Sequence, residues 1–181
     1  MKVLLHVCCG PCASGVVPWF KAQGIDFLGF YFNPNIHPFS EYEKRRVNLE
    51  EVSRLLDFEV AYSVDWGVES WINNFSTDQR CVNCIFLRLE KTAKIAKDLG
   101  FDAFSTTLSI SPYQSLDVIK DCFENISNKY KIDYIFNNFR SLYQNSIRFS
   151  KENNIYRQHY CGCIMSEYEM ITRKRSRVNE K

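Results

Sequence analysis

The stretch His6-Val7-Cys8-Cys9-Gly10-Pro11-Cys12 constrains this chain more than any other. It sets three thiols close together directly after an apolar run, Val3-Leu4-Leu5. Two further pairs follow far downstream, Cys81-Val82-Asn83-Cys84 and Cys161-Gly162-Cys163, and Cys122 stands alone. Seven of the eight cysteines therefore fall in three tight groups, and the fold has to give those groups a common purpose. The start, Met1-Lys2-Val3-Leu4-Leu5, imitates a signal peptide, but His6 and Pro11 interrupt it and no small-x-small cleavage site follows. No stretch approaches the roughly 20 apolar residues that span a bilayer. The expected location is cytoplasmic, with no membrane partner. In a reducing compartment, clustered cysteines are metal ligands or redox catalysts more often than disulfide staples.

Apolar runs bounded by turn residues predict short buried strands over 2–7, 25–32, 58–62, 101–105 and 133–136. Helices are predicted over 12–23, 40–56, 66–75, 84–99, 115–130 and 141–153, with Gly24 and Gly100 as stops. In the second helix Val47, Val52, Leu55 and Leu56 are expected on one face. Glu41/Arg45 and Glu50/Arg54 are expected as i,i+4 pairs on its solvated side. This alternation predicts an α/β fold, a parallel sheet with helices on both faces. The 181 residues suffice for a single domain with a real core. We expect that domain over 1–170, followed by a flexible basic C-terminal tail, 171–181, containing Arg173-Lys174-Arg175-Ser176-Arg177.

Open parallel sheets bind ligands beyond the carboxyl ends of their strands. The unusual residues are predicted there: Cys8 to Cys12 after the first strand, Asn33-Pro34-Asn35-Ile36-His37-Pro38 after the second, Asp65-Trp66 after the third. The polar run from Thr106 to Gln114 follows the fourth. Cys81-x-x-Cys84 at a helix start puts two thiolates at a positive helix end, which lowers their pKa and favours metal. Cys8 and Cys9 offer two more. Four thiolates hold zinc or an iron–sulfur cluster. Spacing leaves both open, with a disulfide or free-thiol arrangement beside them, although a vicinal pair is uncommon for zinc. Cys161-Gly162-Cys163 would close a small strained ring on oxidation, and strained disulfides are the labile, catalytic ones; the plain alternative is two more metal ligands. Cys122 and His6 read as core residues. His37, in a Pro-flanked loop, and His159, beside the last pair, are site candidates, and Arg80 is a candidate to steady a thiolate or an anion. No Gly-rich phosphate loop is present, so a nucleotide hydrolase lacks its main residues. The net charge of +2 does not by itself argue for nucleic acid, but the aromatic fraction of 15% supplies both core and stacking surfaces.

Several of these segments together resemble the QueH type of epoxyqueuosine reductase. They are His6-x-Cys8-Cys9-x-Pro11-Cys12, Asn33-Pro34-Asn35-Ile36, Arg80-Cys81-x-x-Cys84, Leu87-Arg88-Leu89-Glu90, Thr106-Thr107-Leu108 with Ser111-Pro112, and Tyr156-Arg157-Gln158-x-Tyr160-Cys161-Gly162-Cys163. The resemblance spans residues 3 to about 166. It departs at Asn138-Phe139-Arg140-Ser141, where an acidic residue followed by Phe-Lys-Lys is expected. It implies a Rossmann-like (HUP-type) fold in which Cys8 to Ser14 occupies the place of a phosphate loop. It implies reduction of epoxyqueuosine to queuosine at the wobble position of tRNA, with a [4Fe–4S] cluster on Cys8, Cys9, Cys81 and Cys84 and a redox-active Cys161/Cys163 pair. The partners implied are a tRNA anticodon loop carrying epoxyqueuosine and an electron donor that the sequence does not identify.

Epoxide removal needs electrons, protons and an acid that pulls on the ring oxygen. Three clustered thiols remain beyond a four-ligand cluster. A second, mononuclear metal (iron) held by some of Cys12, Cys161, Cys163 and Asp65 would polarise that oxygen. Catalytic roles therefore fall to Cys161, Cys163, Asp65 and Cys12, with Asp65, His37 or Tyr113 delivering protons. Tyr31, Trp66 and Tyr113 are candidate stacking surfaces for bases, and Lys44, Arg45, Arg46 and the tail are candidate phosphate contacts. Two rivals remain. A zinc-stapled tRNA-binding module accounts for the cysteines but not for a strained pair, and a tRNA sulfur-transfer enzyme would need a nucleotide site.

Overall fold

Strand β1 (Lys2–His6) buries four of its five side chains, so it needs cover on both faces. It pairs in parallel with β2 (Asp26–Tyr31) on one side and β4 (Ala103–Thr106) on the other. Strands β3 (Val60–Tyr62) and β5 (Asp133–Ile135) close the two edges, giving a five-stranded parallel sheet in the order β3-β2-β1-β4-β5. The computed structural model describes the backbone of residues 1–179 and the side chains of residues 1–173. The expected α/β architecture is the one observed.

Strand alternation divides the core. Val3, Leu5 and Val7 face Val16, Val17 and Phe20 of α1 (Gly10–Ala22) and Leu49 and Val52 of α2 (Phe39–Leu56). Leu4 faces the opposite layer, α4 (Arg80–Asp98) and α5 (Leu116–Tyr130), where Leu89, Ala93, Phe123 and Ile126 are buried. Each such side chain contributes ~1.5–3 kcal/mol on burial. The short α3 (Val68–Asn73) precedes α4, and α6 (Tyr143–Glu152) packs beside α1. Helix α7 spans Ile164–Asn179, and the side chains of the expected basic tail beyond Arg173 lie outside the described residues. No helix among the described residues is long and apolar enough to cross a membrane.

Gly10 permits the close approach of α1 to α2. A Cβ there would lie 3.0 Å from both Asn48 Oδ1 and Val52 Cγ2. This draws the start of α1, with its cysteines, against the side of α2.

Helix α2 differs from its sequence reading. Its buried stripe is Tyr42, Arg45, Leu49 and Val52, while Val47 and Leu55 are exposed. The 3.6-residue period runs through a charged position, which is tolerated because Arg45 finds Glu41 and two carbonyls inside the protein. The Glu41/Arg45 pair is thus buried rather than solvated. Glu50 pairs with Arg46, and Arg54 pairs with Glu51 instead of Glu50. Helix α4 begins at Arg80, four positions before its predicted start, so Cys81 and Cys84 both sit in its opening turns.

Candidate metal centre

The chain leaves β1 at His6, and Cys9 stands at the N-cap of α1 with an extended backbone. Cys12 lies in the first turn of the helix. The sulfurs of Cys8, Cys9 and Cys12 all fall within 4.8 Å of one another, with Cys8 and Cys9 3.8 Å apart. They gather at a helix N-terminus, where unpaired N–H groups and the helix dipole favour negative charge. Two side chains from distant segments grip the group. The Thr107 hydroxyl accepts from the Cys8 N–H at 3.1 Å and lies 3.3 Å from the Cys8 sulfur. Gln158 Nε2 donates to the Cys9 sulfur at 3.1 Å.

These contacts divide the protons unequally. Hydrogen bonds from Cys12 and Cys8, helped by the Arg45 charge, hold the Cys9 thiol well below its ordinary range despite burial. Hydrogen bonding to Cys8 and Cys9, together with burial, pushes Cys12 well up. A thiolate stabilised by two adjacent thiols is a soft, anionic donor set. It can bind a thiophilic metal.

On the other layer, Cys81 is exposed and Cys84 is half-buried. Burial pushes the Cys84 thiol up to about 12, with Arg88 pulling the other way and the thiols of Cys161, Cys163 and Cys81 raising it further. The Arg88 charge pulls down both Cys84 and Cys161, which links α4 electrostatically to the last cysteine pair. All eight cysteines are free thiols. Arg80, beside Cys81, pairs with Glu169 of α7.

The segment from Tyr156 to Cys163 folds back across the front of the site. Arg45 Nη1 donates to the Cys161 carbonyl at 2.9 Å and Nη2 to the Tyr160 carbonyl at 3.1 Å, while Nε binds Glu41 at 2.7 Å. The Tyr156 hydroxyl donates to the same Glu41 carboxylate. The His37 N–H donates to the Gly162 carbonyl at 2.8 Å. Gly162 itself has φ +142, and a Cβ there would lie 3.1 Å from Asn35 Nδ2 and Ile36 Cγ1. Gln114 Nε2 reaches the Cys161 sulfur at 3.3 Å, and the Gln114 carbonyl accepts from Arg140 Nη2 at 2.7 Å.

Other sequence candidates lie elsewhere. Asp65 is exposed, in a groove with Phe32, Leu87, Lys91 and Tyr130, and is not part of the three-thiol group. His6 is fully buried between Thr106 Oγ1 and the Phe32 carbonyl, and burial first, then Arg88, lowers its pKa to about 3, which keeps it neutral. The His37 ring packs edge-on against Trp66 and Trp71, with Nε2 on the Pro34 carbonyl. Its backbone, rather than its ring, touches the cysteine segment. Tyr31 is buried under Tyr42 and offers no face to a base, whereas Tyr113 is 86% exposed. Arg45 is inside and Arg46 is tied to Glu43 and Glu50, leaving Lys44 the exposed cation of that trio. Cys122 is a core residue, as read.

The family model for epoxyqueuosine reductase QueH matches residues 3–169. The chain belongs to the QueH family. An epoxyqueuosine reductase QueH of Thermotoga maritima is 38% identical, over 97% of this chain and 98% of that protein. The QueH of Dehalococcoides mccartyi is 32% identical over 97% of each. Among solved structures, a predicted tRNA methyltransferase subunit from Methanocaldococcus jannaschii superposes with TM-score 0.51 at 16% identity, over 80% of this chain and 74% of that one, which shows a shared fold. Where this chain departs from the expected family pattern, Asn138 caps the turn that aims Arg140 at Gln114.

Proposed function

We propose that this chain reduces epoxyqueuosine in tRNA to queuosine, using a [4Fe–4S] cluster and the Cys161/Cys163 dithiol. Family membership supports the reaction. The observation that carries the chemistry is the gathering of the Cys8, Cys9 and Cys12 sulfurs within 4.8 Å of one another at the N-terminus of α1. Sulfur-only donors at the N-termini of two helices suit an iron–sulfur cluster. Cys8, Cys9, Cys81 and Cys84 are the ligands we assign, with Cys12 close enough to Cys8 and Cys9 to serve the same centre or a second iron. Bound there, the cluster supplies electrons one at a time.

The remaining steps belong to the chain. Loss of the epoxide oxygen as water takes two electrons and two protons and leaves an alkene. The Cys161/Cys163 dithiol supplies both as it closes to a disulfide. Arg45 holds the backbone of that pair, and Gln114 orients the Cys161 sulfur. Exposed Tyr113 stands beside Gln114, where it can stack on an anticodon base. Asp65, in its own groove, would relay one of the dithiol's protons to the departing oxygen, which requires the substrate to reach from the cysteine site to that groove. Electrons return from an external donor.

The test is anaerobic. Protein carrying iron and sulfide is mixed with dithionite and tRNA containing epoxyqueuosine, and nucleosides are separated by mass. Queuosine formation that disappears in Cys161→Ser and Cys163→Ser supports the reading. A colourless, zinc-bearing protein with no turnover removes it.

A further inference from the structure

Two arginines are buried beside the cysteines, and they are treated differently. Arg45 has a carboxylate, Glu41, at 2.7 Å. Arg88 is 3% exposed and has none: among the described residues no ion pair includes it. Its Nε donates to the Cys84 carbonyl at 3.0 Å, a neutral acceptor one turn back along α4. The groups that feel its charge include the thiols of Cys84 and Cys161, which it pulls down against the effect of burial and which would become anionic on binding a metal. An uncompensated buried cation is strongly destabilising, whereas one set against an anion is not. Four thiolates outweigh the charge of a [4Fe–4S] core, so a cluster bound here would be an anion in either oxidation state.

We infer that Arg88 is the buried counter-cation of the metal centre and raises its reduction potential. The inference rests on the reading that these thiols hold a redox metal. Adding an electron to an anion is easier beside a fixed positive charge, and low solvent access leaves that charge unscreened. Arg88 acts through the centre and is a positioning residue of its electrostatics, one turn beyond a ligand on the same rigid helix. Arg45 is less suited to the same part, since the Glu41 carboxylate 2.7 Å away offsets much of the charge it exerts on Cys9.

The experiment compares wild type, Arg88→Met and Arg88→Lys, each loaded with iron and sulfide without oxygen. Metal content is measured first, then the midpoint potential by spectroelectrochemical titration. Arg88→Met should bind the same iron and be at least tenfold harder to reduce, which is about 59 mV for a one-electron couple. Arg88→Lys, which keeps the charge, should recover most of that shift. An unchanged potential in Arg88→Met, or an equal fall in Arg88→Lys, overturns the inference. If Arg88→Met does not load, urea unfolding of the metal-free full-length chains decides. Loss of an unpaired cation should leave that variant at least as stable as wild type, and a less stable variant overturns the inference. Absence of a reducible metal in wild type defeats the reductase reading, and the metal-free comparison still tests the placement of Arg88.

Discussion

Arg45 Nη1 donates to the Cys161 carbonyl at 2.9 Å, joining residues 116 positions apart in the chain. This bond fastens the last cysteine pair to α2, on the opposite layer from Cys81 and Cys84. The proposed centre therefore draws its cysteines from both layers of the fold. Cys8 to Cys12 come from the turn after β1, Cys81 and Cys84 from α4, and Cys161 and Cys163 from a segment held by α2. None of these groups is positioned by its own local secondary structure alone.

Arg45→Gln should be severely destabilising. It leaves the Glu41 carboxylate, 11% exposed at its side chain, without its cation, and it releases two carbonyls. Breaking a buried pair from one side costs about 3–5 kcal/mol. Tyr156→Phe removes one hydroxyl from the same carboxylate and should cost about 1 kcal/mol. Urea unfolding measures both. A loss below ~1 kcal/mol for Arg45→Gln would mean that water replaces the guanidinium.

Gly162→Ala should displace the Cys161/Cys163 pair. At φ +142 any side chain is strained, and the new methyl would press on Asn35 and Ile36 at 3.1 Å. A loss of about 1–3 kcal/mol follows. Because the strain sits between the two cysteines, turnover should fall further than stability at growth temperature explains. Wild-type turnover in a folded Gly162→Ala protein would show that the pair tolerates movement.

The sheet was legible in the sequence because Val3-Leu4-Leu5 and its counterparts are buried on both faces and bounded by glycine and proline. The thiol group at Cys8, Cys9 and Cys12 was legible as a cluster, but its internal company was not. Spacing cannot tell that Cys12, in the first helical turn, swings back to within 4.8 Å of Cys8 and Cys9. Thr107 and Gln158 fall in segments that the sequence places at the site, but their partners do not show in it. They act across 99 and 149 positions, and no local pattern encodes such pairings. Arg45 was misplaced because an i,i+4 acidic partner ordinarily marks a solvated face. Only the tertiary fold shows that Tyr42, Arg45, Leu49 and Val52 form the inner stripe.

Thr107→Val tests the grip on Cys8. Valine keeps the shape but leaves the Cys8 N–H without its 3.1 Å acceptor and removes the hydroxyl beside the sulfur. An unsatisfied buried donor costs ~1–3 kcal/mol, and Thr107→Ser should regain most of it. The measurements are urea unfolding and the rate at which a chelator strips metal from the loaded protein. If valine and serine variants match wild type in both, Thr107 has no part in holding Cys8.

Cys122 offers a pH-dependent prediction away from the metal centre. It is 4% exposed in the α5 core, and burial raises its pKa from 9.0 to about 11. The unfolded chain releases this proton at lower pH than the folded one. Its contribution to stability is therefore complete below about pH 9 and is lost as pH rises through about 11, amounting to about 3 kcal/mol. Unfolding free energies measured from pH 8 to 11 should fall less steeply in Cys122→Ala than in wild type. The same shift leaves about 0.1% thiolate in the native chain at pH 8, so iodoacetamide should modify exposed Cys81 first and reach Cys122 only as the protein unfolds. Equal labelling of Cys122 and Cys81 in the native, metal-free chain would place Cys122 outside the closed core.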